Sequence, residues 1–343
     1  MTDSRDALHE ALEDFAGTHD LPVGPERLRA RVAAATAIRV ALAAGPVVPV
    51  VRTLPLVSGP VPRAAALGRA LRSHAPFVQV RHGAILLQCL HEGAPRTMVW
   101  NPTDVRHALA IPAFDRMRRG VGRIAAGLFV KVEPAITAQL DALGVRADAV
   151  DVIAYDQLDA QYPSAMLARF PRARLAITPE EWARIEQPSA RDAAFIVHAP
   201  EIDRARVASV ERSWIVGDGA LLLHVGGRRP GQLALVVNSA RGVFVASGNA
   251  LTVDGYVSAG SPLPGLREFA RTRPTPFVGA YPDVGRDPSE AMAVEYALSD
   301  RHPLAPAYPF ILPTVELVAS AIAPGISPGA MAPVLALGTV MRA

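Results

Sequence analysis

The chain has 343 residues, half of them hydrophobic, and a formal net charge of +3. So slight a basic excess gives no charge-based case for nucleic-acid binding, and the length admits one large domain or two small ones. Cys89 is the single cysteine, which excludes an intrachain disulfide and a cysteine-based metal cluster. In the alternating run "AILLQCLHEG" it reads as a small residue of a strand. Lys131 is the only lysine; with the heavy use of Ala and Pro this points to a GC-rich, bacterial genome rather than to function.

The start, "MTDSRDALHEALEDF", is acidic and lacks the basic flank and apolar run of a signal peptide. The apolar stretch "VAAATAIRVALAAGPVVPVV" is broken by Arg39, Gly45 and Pro46 and is too interrupted to span a bilayer. A soluble, cytoplasmic protein is the expectation. Apolar residues at three- and four-residue spacing predict helices over 5–16 and 25–44, the second stopped by Gly45-Pro46. Arginines 27, 29, 31 and 39 do not share one face and read as a solvated helix surface.

From residue 47 the pattern turns to β. "VVPVVRTLPLVSG" is extended, and "FVQVRHG", "AILLQCLHEG" and "RTMVWNPTD" read as three short strands of a hairpin or meander. After a mixed region over 103–131, "EPAITAQLDALGVRADAVDVIAYDQ" gives a helix, a C-cap at Gly144 and a buried strand. "YPSAMLARFPRARLAITPEEWARIE" gives helix, strand (173–177) and helix, with Thr178 as N-cap. About four strands fall in 207–250. A helix follows over about 288–299, and "PTVELVASAIAP" reads as a short helix. No repeat or low-complexity linker cuts the chain.

The stretch "DVIAYDQLDAQY" (151–162) holds a dense polar loop at the end of a buried strand. The frame around it resembles the metallo-β-lactamase fold, in a branch of hydrolase-like proteins. "LDALGVRADAVDVI" matches "LxxLGxxxxxVDxI"; where the family has Asp-His-Leu-His after the tyrosine, this chain has Tyr155-Asp156-Gln157-Leu158-Asp159. "GDGALLLHVGGRRPGQLALVVNS" follows the family's two strands around a Gly-His turn, with Arg228 or Arg229 at the histidine. Gly248 or Asn249 stands near the acidic ligand, and Leu337 before Gly338 near the last histidine. Gln161 and Tyr162 occupy the place of a further Asp-His pair.

The pattern along the chain favours one α/β domain over 47–343 preceded by a helical N-terminal extension over 1–46, and the resemblance, over roughly 48–340, implies that the domain is a four-layered αββα sandwich. It also implies zinc, but the aligned ligands are replaced. Gln is a poor zinc ligand and Arg a fixed cation that cannot ligate, whereas zinc hydrolysis needs imidazoles and a carboxylate. No cofactor is therefore expected. None of the nine histidines forms an HxH or HxxxH pair, and only His224 ends a strand near the expected pocket. Asp156, Gln157, Asp159 and Gln161 could offer oxygens to a hard cation; the turn "VGGRRPGQ" could hold a phosphate or carboxylate. No GxSxG, Walker A or GxGxxG motif is present.

The leading expectation is a pseudoenzyme that binds a small, anionic ligand or a protein partner, with Asp156, Gln157, Asp159, Gln161, Tyr162, His224, Arg228, Arg229 and Asn249 lining its pocket. One alternative is a hydrolase with a metal site rebuilt around Asp156, Asp159 and His224. Another is a non-catalytic subunit of an active homologue, in a homo- or hetero-oligomer; neither nucleic acid nor membrane is expected as a partner. Loss of two divalent cations leaves carboxylates to be compensated, so Arg228 or Arg229 is expected to reach Asp159 or Asp156.

Overall fold

The computed structural model describes residues 4–111, 129–189, 192, 202–281 and 286–341. Among the described residues the strands form two sheets. The larger contains β1 (Val50–Pro62), β2 (Phe77–His91), β3 (Ala94–Trp100), β4 (Lys131–Val132), β5 (Val152–Ala154), β6 (Arg174–Ile177), β7 (Val207–Ser209), β13 (Val315–Val318) and β14 (Ala336–Leu337). Its order is β14-β1-β2-β3-β5-β6-β7, with β4 on β1 and β13 on β2. The smaller sheet contains β8 (Ser213–Gly217), β9 (Ala220–His224), β10 (Leu233–Ser239), β11 (Gly242–Ser247) and β12 (Ile311–Pro313), in the order β12-β11-β10-β9-β8.

The two-residue period of the strands explains the layering. On β10, Leu233, Leu235 and Val237 turn inward to meet Ile85, Leu87, Cys89, Met98 and Trp100 of the larger sheet. Ala234 and Val236 turn outward and meet the helices α1 (Ser4–Gly17) and α2 (Pro25–Ala43). Leu86, Val99, Ile153 and Leu175 line the outer face of the larger sheet, under Ile136, Leu140, Met166 and Phe170 of its own helices. Both faces of each sheet are thus buried, which is why the strands read as continuous apolar runs. The result is an αββα sandwich.

Helix α1 contributes Ala11, Leu12 and Phe15, and α2 contributes Ala34, Ala35, Ile38 and Leu42, the spacing an amphipathic helix needs. The arginines of α2 are not simply solvated. Arg27 and Arg31 both bind Glu290 at 2.7 Å, Arg31 also donates to the Val225 carbonyl at 2.9 Å, and Arg39 binds Asp300 at 2.8 Å. They tie α2 to the C-terminal helix Ser289–Leu298 and the loop after it.

Three further local expectations are corrected. "FVQVRHG" and "AILLQCLHEG" form one strand, β2, continuous through Gly83 because β1 pairs along its whole length with a register shift between Pro55 and Val57. "PTVELVASAIAP" begins as strand β13, antiparallel to β2; its Val315 and Val318 suit a pleated surface, and the pairing overrides weak helical spacing. The region 207–250 carries five strands, the first, β7, joining the larger sheet. Of the mixed region, 112–128 lies outside the described residues. No helix among the described residues is long and apolar enough to cross a membrane.

Candidate functional site

The loop after β5 and the turn between β9 and β10 meet. Arg229, on the turn, donates from Nε (3.0 Å) and Nη2 (2.7 Å) to Oδ2 of Asp159, on the loop. Oδ1 of Asp159 accepts from Arg184 Nη2 at 2.8 Å. Burial alone would raise the Asp159 carboxyl, but Arg229, Arg228 and Arg184 outweigh it and hold it below the usual range. Arg184 stands on the helix Pro179–Glu186, whose N-cap Thr178 accepts from Glu181 N. That helix start places Glu181 inward, where it accepts two bonds from Arg184 at 2.7 Å and one from Leu158 N at 3.0 Å. Asp192 also accepts from Arg184, at 2.8 Å.

Behind this cluster lies a set of buried polar groups with fewer partners. Asp156 is 2% exposed. Its N–H donates to Asn101 Oδ1 at 3.0 Å and its Oδ1 accepts from Gln157 N at 2.8 Å, but Oδ2 has no well-formed hydrogen bond. Burial raises its carboxyl to about 6, against the lowering influence of the nearby Thr314 hydroxyl and the Arg228 guanidinium. Gly248 permits this placement, because a Cβ there would lie 2.1 Å from Asp156 Oδ2 and 3.6 Å from Gln232 Nε2. Gln232 is fully buried, and that Nε2 also lacks a partner.

Arg228 is 5% exposed. Its backbone N–H donates to Asn249 Oδ1 at 3.1 Å and its guanidinium lies 5.0 Å from the centre of the Tyr281 ring. Nε has no acceptor, and among the described residues the guanidinium forms no ion pair. Burial lowers its pKa, with Asp159, Tyr281 and Asp156 opposing. Tyr281 itself sits at φ +47, an uncommon conformation for a bulky residue. Asn249, fully buried, passes the network on to Glu295 Oε1 at 2.7 Å. Glu295 also accepts from Ser247 Oγ and, at 2.6 Å, from Tyr256 OH. Burial raises Glu295 to about 7, although its three donors act the other way.

The predicted residues therefore separate. Asp156, Asp159, Arg228, Arg229 and Asn249 come together, with the orphaned Gln157 Oε1 on the same loop. Gln161 instead accepts from Thr103 at 2.5 Å, and Thr103 in turn contacts His82 Nε2. Tyr162 stacks on His107, ring centres 4.9 Å apart. His224 has both ring nitrogens against backbone carbonyls, Glu211 at 3.0 Å and Pro230 at 2.7 Å, and packs on His19. Leu337 lies on β14, separated from β5 by β1, β2 and β3. The C-terminal residue that does close on the loop is Thr314, bonded by Asn101 Nδ2 at 3.0 Å. Sequence reasoning missed Thr314, Gln232, Glu181, Arg184 and Glu295. A signal existed for Glu295, which falls four residues after Ala291 and three before Leu298 on the buried face of its helix.

The zinc that the resemblance implies does not fit this donor set. Both Asp159 oxygens are taken by arginines, and a guanidinium near a metal position repels a cation and cannot ligate it. Among the described residues no three His, Cys, Asp or Glu side chains converge as a metal site. Asp156, Asp159 and His224 thus do not form the rebuilt centre considered above.

No family model and no curated protein matches the chain in sequence. Solved structures match in shape. One is an N-acyl homoserine lactone hydrolase with the product N-hexanoyl-L-homoserine bound at the catalytic metal centre; it is 14% identical over 73% of this chain and 87% of that chain, with a TM-score of 0.48. A probable metal-dependent hydrolase from Staphylococcus aureus is 13% identical over 72% and 83%, TM-score 0.47. A Cronobacter sakazakii metallo-β-lactamase is 16% identical over 52% and 62%, TM-score 0.30. These likenesses concern the fold alone; this chain's αββα sandwich of the metallo-β-lactamase type is set out by its own layers and strand order.

Proposed function

We propose that this protein is a pseudoenzyme of the metallo-β-lactamase fold, which binds a small anion where the loop 156–161 and the turn 225–232 meet. The observation that carries the reading is Arg228: a buried guanidinium over an aromatic ring, whose Nε has no hydrogen-bond acceptor and which forms no ion pair among the described residues. A buried charge without a partner is costly, and a carboxylate or phosphate offers a guanidinium paired acceptors. Gln232 Nε2 is a second donor left free nearby. Arg229 is not available for that role, being committed to Asp159.

The test is calorimetric titration with acetate and with inorganic phosphate, on the native chain and on Arg228→Met. Saturable binding of one of the two anions by the native chain, lost in Arg228→Met, is expected. Absence of binding to either, or equal binding by both chains, would overturn the reading.

A further inference from the structure

The arginines of the chain are unevenly placed. Over the whole sequence 35 basic residues meet 32 acidic ones. Three segments, 57–80, 255–281 and 317–333, fold around one apolar cluster, in which Leu67 and Leu71 pack with Leu266, Ala270, Ala323 and Ile326. Together these segments hold six arginines and a single acidic residue, Glu268. The acidic residues at their borders, Asp254 and Glu316, are buried and leave the charge of the surface as it is.

Two of the six arginines are committed. Arg63 donates to the carbonyls of Leu71 (2.8 Å) and Ala75 (3.2 Å), and Arg273 pairs with Asp287. The other four, Arg69, Arg72, Arg267 and Arg271, are exposed, and their guanidinium groups form no hydrogen bond or ion pair among the described residues. Local structure gathers them. Arg267 and Arg271 stand four apart on the helix Leu266–Arg271, a spacing that puts them on one face. Arg72 donates its backbone N–H to the Pro264 carbonyl at 2.8 Å, and its side-chain stem lies across Gly265, where a Cβ would come within 2.6 Å of Arg72 Cγ. Arg72 is thus held beside the start of that helix, with Arg69 three residues earlier in the chain. Like charges brought together without a counter-charge repel, and an anionic partner relieves that repulsion.

The kind of anion follows from what else the face carries. No Phe, Tyr or Trp of the described residues in the three segments is exposed, so nucleic-acid bases find no platform to stack on. None of the exposed large apolar side chains lies in them either, so nothing is available to insert into a membrane. What the face offers is charge and planar guanidinium forks, which bind carboxylates through paired hydrogen bonds. We propose that this face docks an acidic, extended segment of a partner protein, whose carboxylates pair with Arg69, Arg72, Arg267 and Arg271. The surface is separate from the anion site at Arg228 and does not depend on it.

The test is fluorescence anisotropy of labelled decaglutamate, and of labelled oligothymidylate of the same length, with the full-length chain. Saturable binding of decaglutamate at low salt is expected, weakened about tenfold at about 200 mM salt. Arg267→Gln/Arg271→Gln is expected to weaken it about fivefold, the effect of two exposed ion pairs; Arg69→Gln/Arg72→Gln serves as a second pair should the first fail to fold. Arg29→Gln/Arg241→Gln removes the same charge from exposed arginines elsewhere and should leave the affinity within about twofold. No binding of decaglutamate, equal losses in the control and in the variants of this face, or tighter binding of oligothymidylate than of decaglutamate would each overturn the proposal.

Discussion

Arg229 and Asp159 join two loops that come from different sheets. The guanidinium donates twice to a single carboxylate oxygen, at 3.0 and 2.7 Å, while Arg184 holds the other oxygen. Both side chains of the first pair are about nine-tenths buried. A fixed positive charge thus stands beside a carboxylate at the place where the family resemblance leads one to look for metal. Arginine supplies charge and directional hydrogen bonds there, but no Lewis acidity and no activated water.

Breaking that pair on one side should cost more than removing it whole. Arg229→Ala is expected to destabilise the protein by about 2–4 kcal/mol, and Asp159→Ala by a similar amount, because each leaves a buried charge short of its strongest partner, with only Arg184 left to Asp159 or Asp192 left to Arg229. The double variant should lose at least about 1 kcal/mol less than the sum. Urea unfolding of the four chains is the measurement; strictly additive losses would show that the contact carries no coupling.

Glu295 gives stability a pH dependence of definite sign. Its folded value, about 7, lies above the usual 4.5. The folded state therefore holds a proton that the unfolded state has released. This contribution is fully present below about pH 4.5 and is lost as pH rises to about 7. Glu295→Gln keeps the buried shape without the charge, so it should remove about 1–3 kcal/mol of this decline and be more stable than the native chain at pH 8. Unfolding at pH 5 and pH 8 checks both statements.

Gly227 sits at φ +123, where a Cβ would approach Asn249 Oδ1 to 2.2 Å. Gly227→Ala combines a disfavoured backbone with a clash in the network behind Arg228. A loss of about 2–4 kcal/mol is expected, together with loss of anion binding. Equal thermal midpoints for the two chains would show that the turn can rearrange freely.

Much of the scaffold was readable because it rests on local patterns. The helices over 5–16 and 25–44 appear as Ser4–Gly17 and Pro25–Ala43, and the Thr178 cap is where a Thr-Pro-Glu-Glu start puts it. What was unreadable depended on pairing at a distance. Only the long β1 partner makes Phe77–His91 one strand, and only β2 makes Val315–Val318 a strand. The site divides in the same way. That Arg229 rather than Arg228 reaches Asp159 follows from the geometry of the β9–β10 turn. His224 looked available from its place at a strand end, but two backbone carbonyls from Glu211 and Pro230 engage its ring. Gln232 and Thr314 carry no motif and acquire meaning only from the neighbours that the fold brings to them.

Arg228 separates stability from binding. Replacing a buried, unpaired cation by an apolar chain of similar length relieves its desolvation. Arg228→Met is expected to stabilise the chain without ligand by about 1–3 kcal/mol. In the native chain, anion affinity should rise as pH falls through about 6, where the nearby Asp156 takes up its proton. Affinity independent of pH between 5 and 8 would show that Asp156 does not face the bound anion.

The proposed pseudoenzyme requires that Asp159 be held by arginines and not by a metal ion. Elemental analysis by plasma emission, on protein purified without chelator and supplied with zinc during expression, tests it most directly. The expected content is far below one zinc per chain, roughly a tenth or less, since Arg229 and Arg184 occupy both oxygens of Asp159 and no three metal-ligating side chains converge among the described residues. One or two tightly held equivalents of zinc per chain would contradict it.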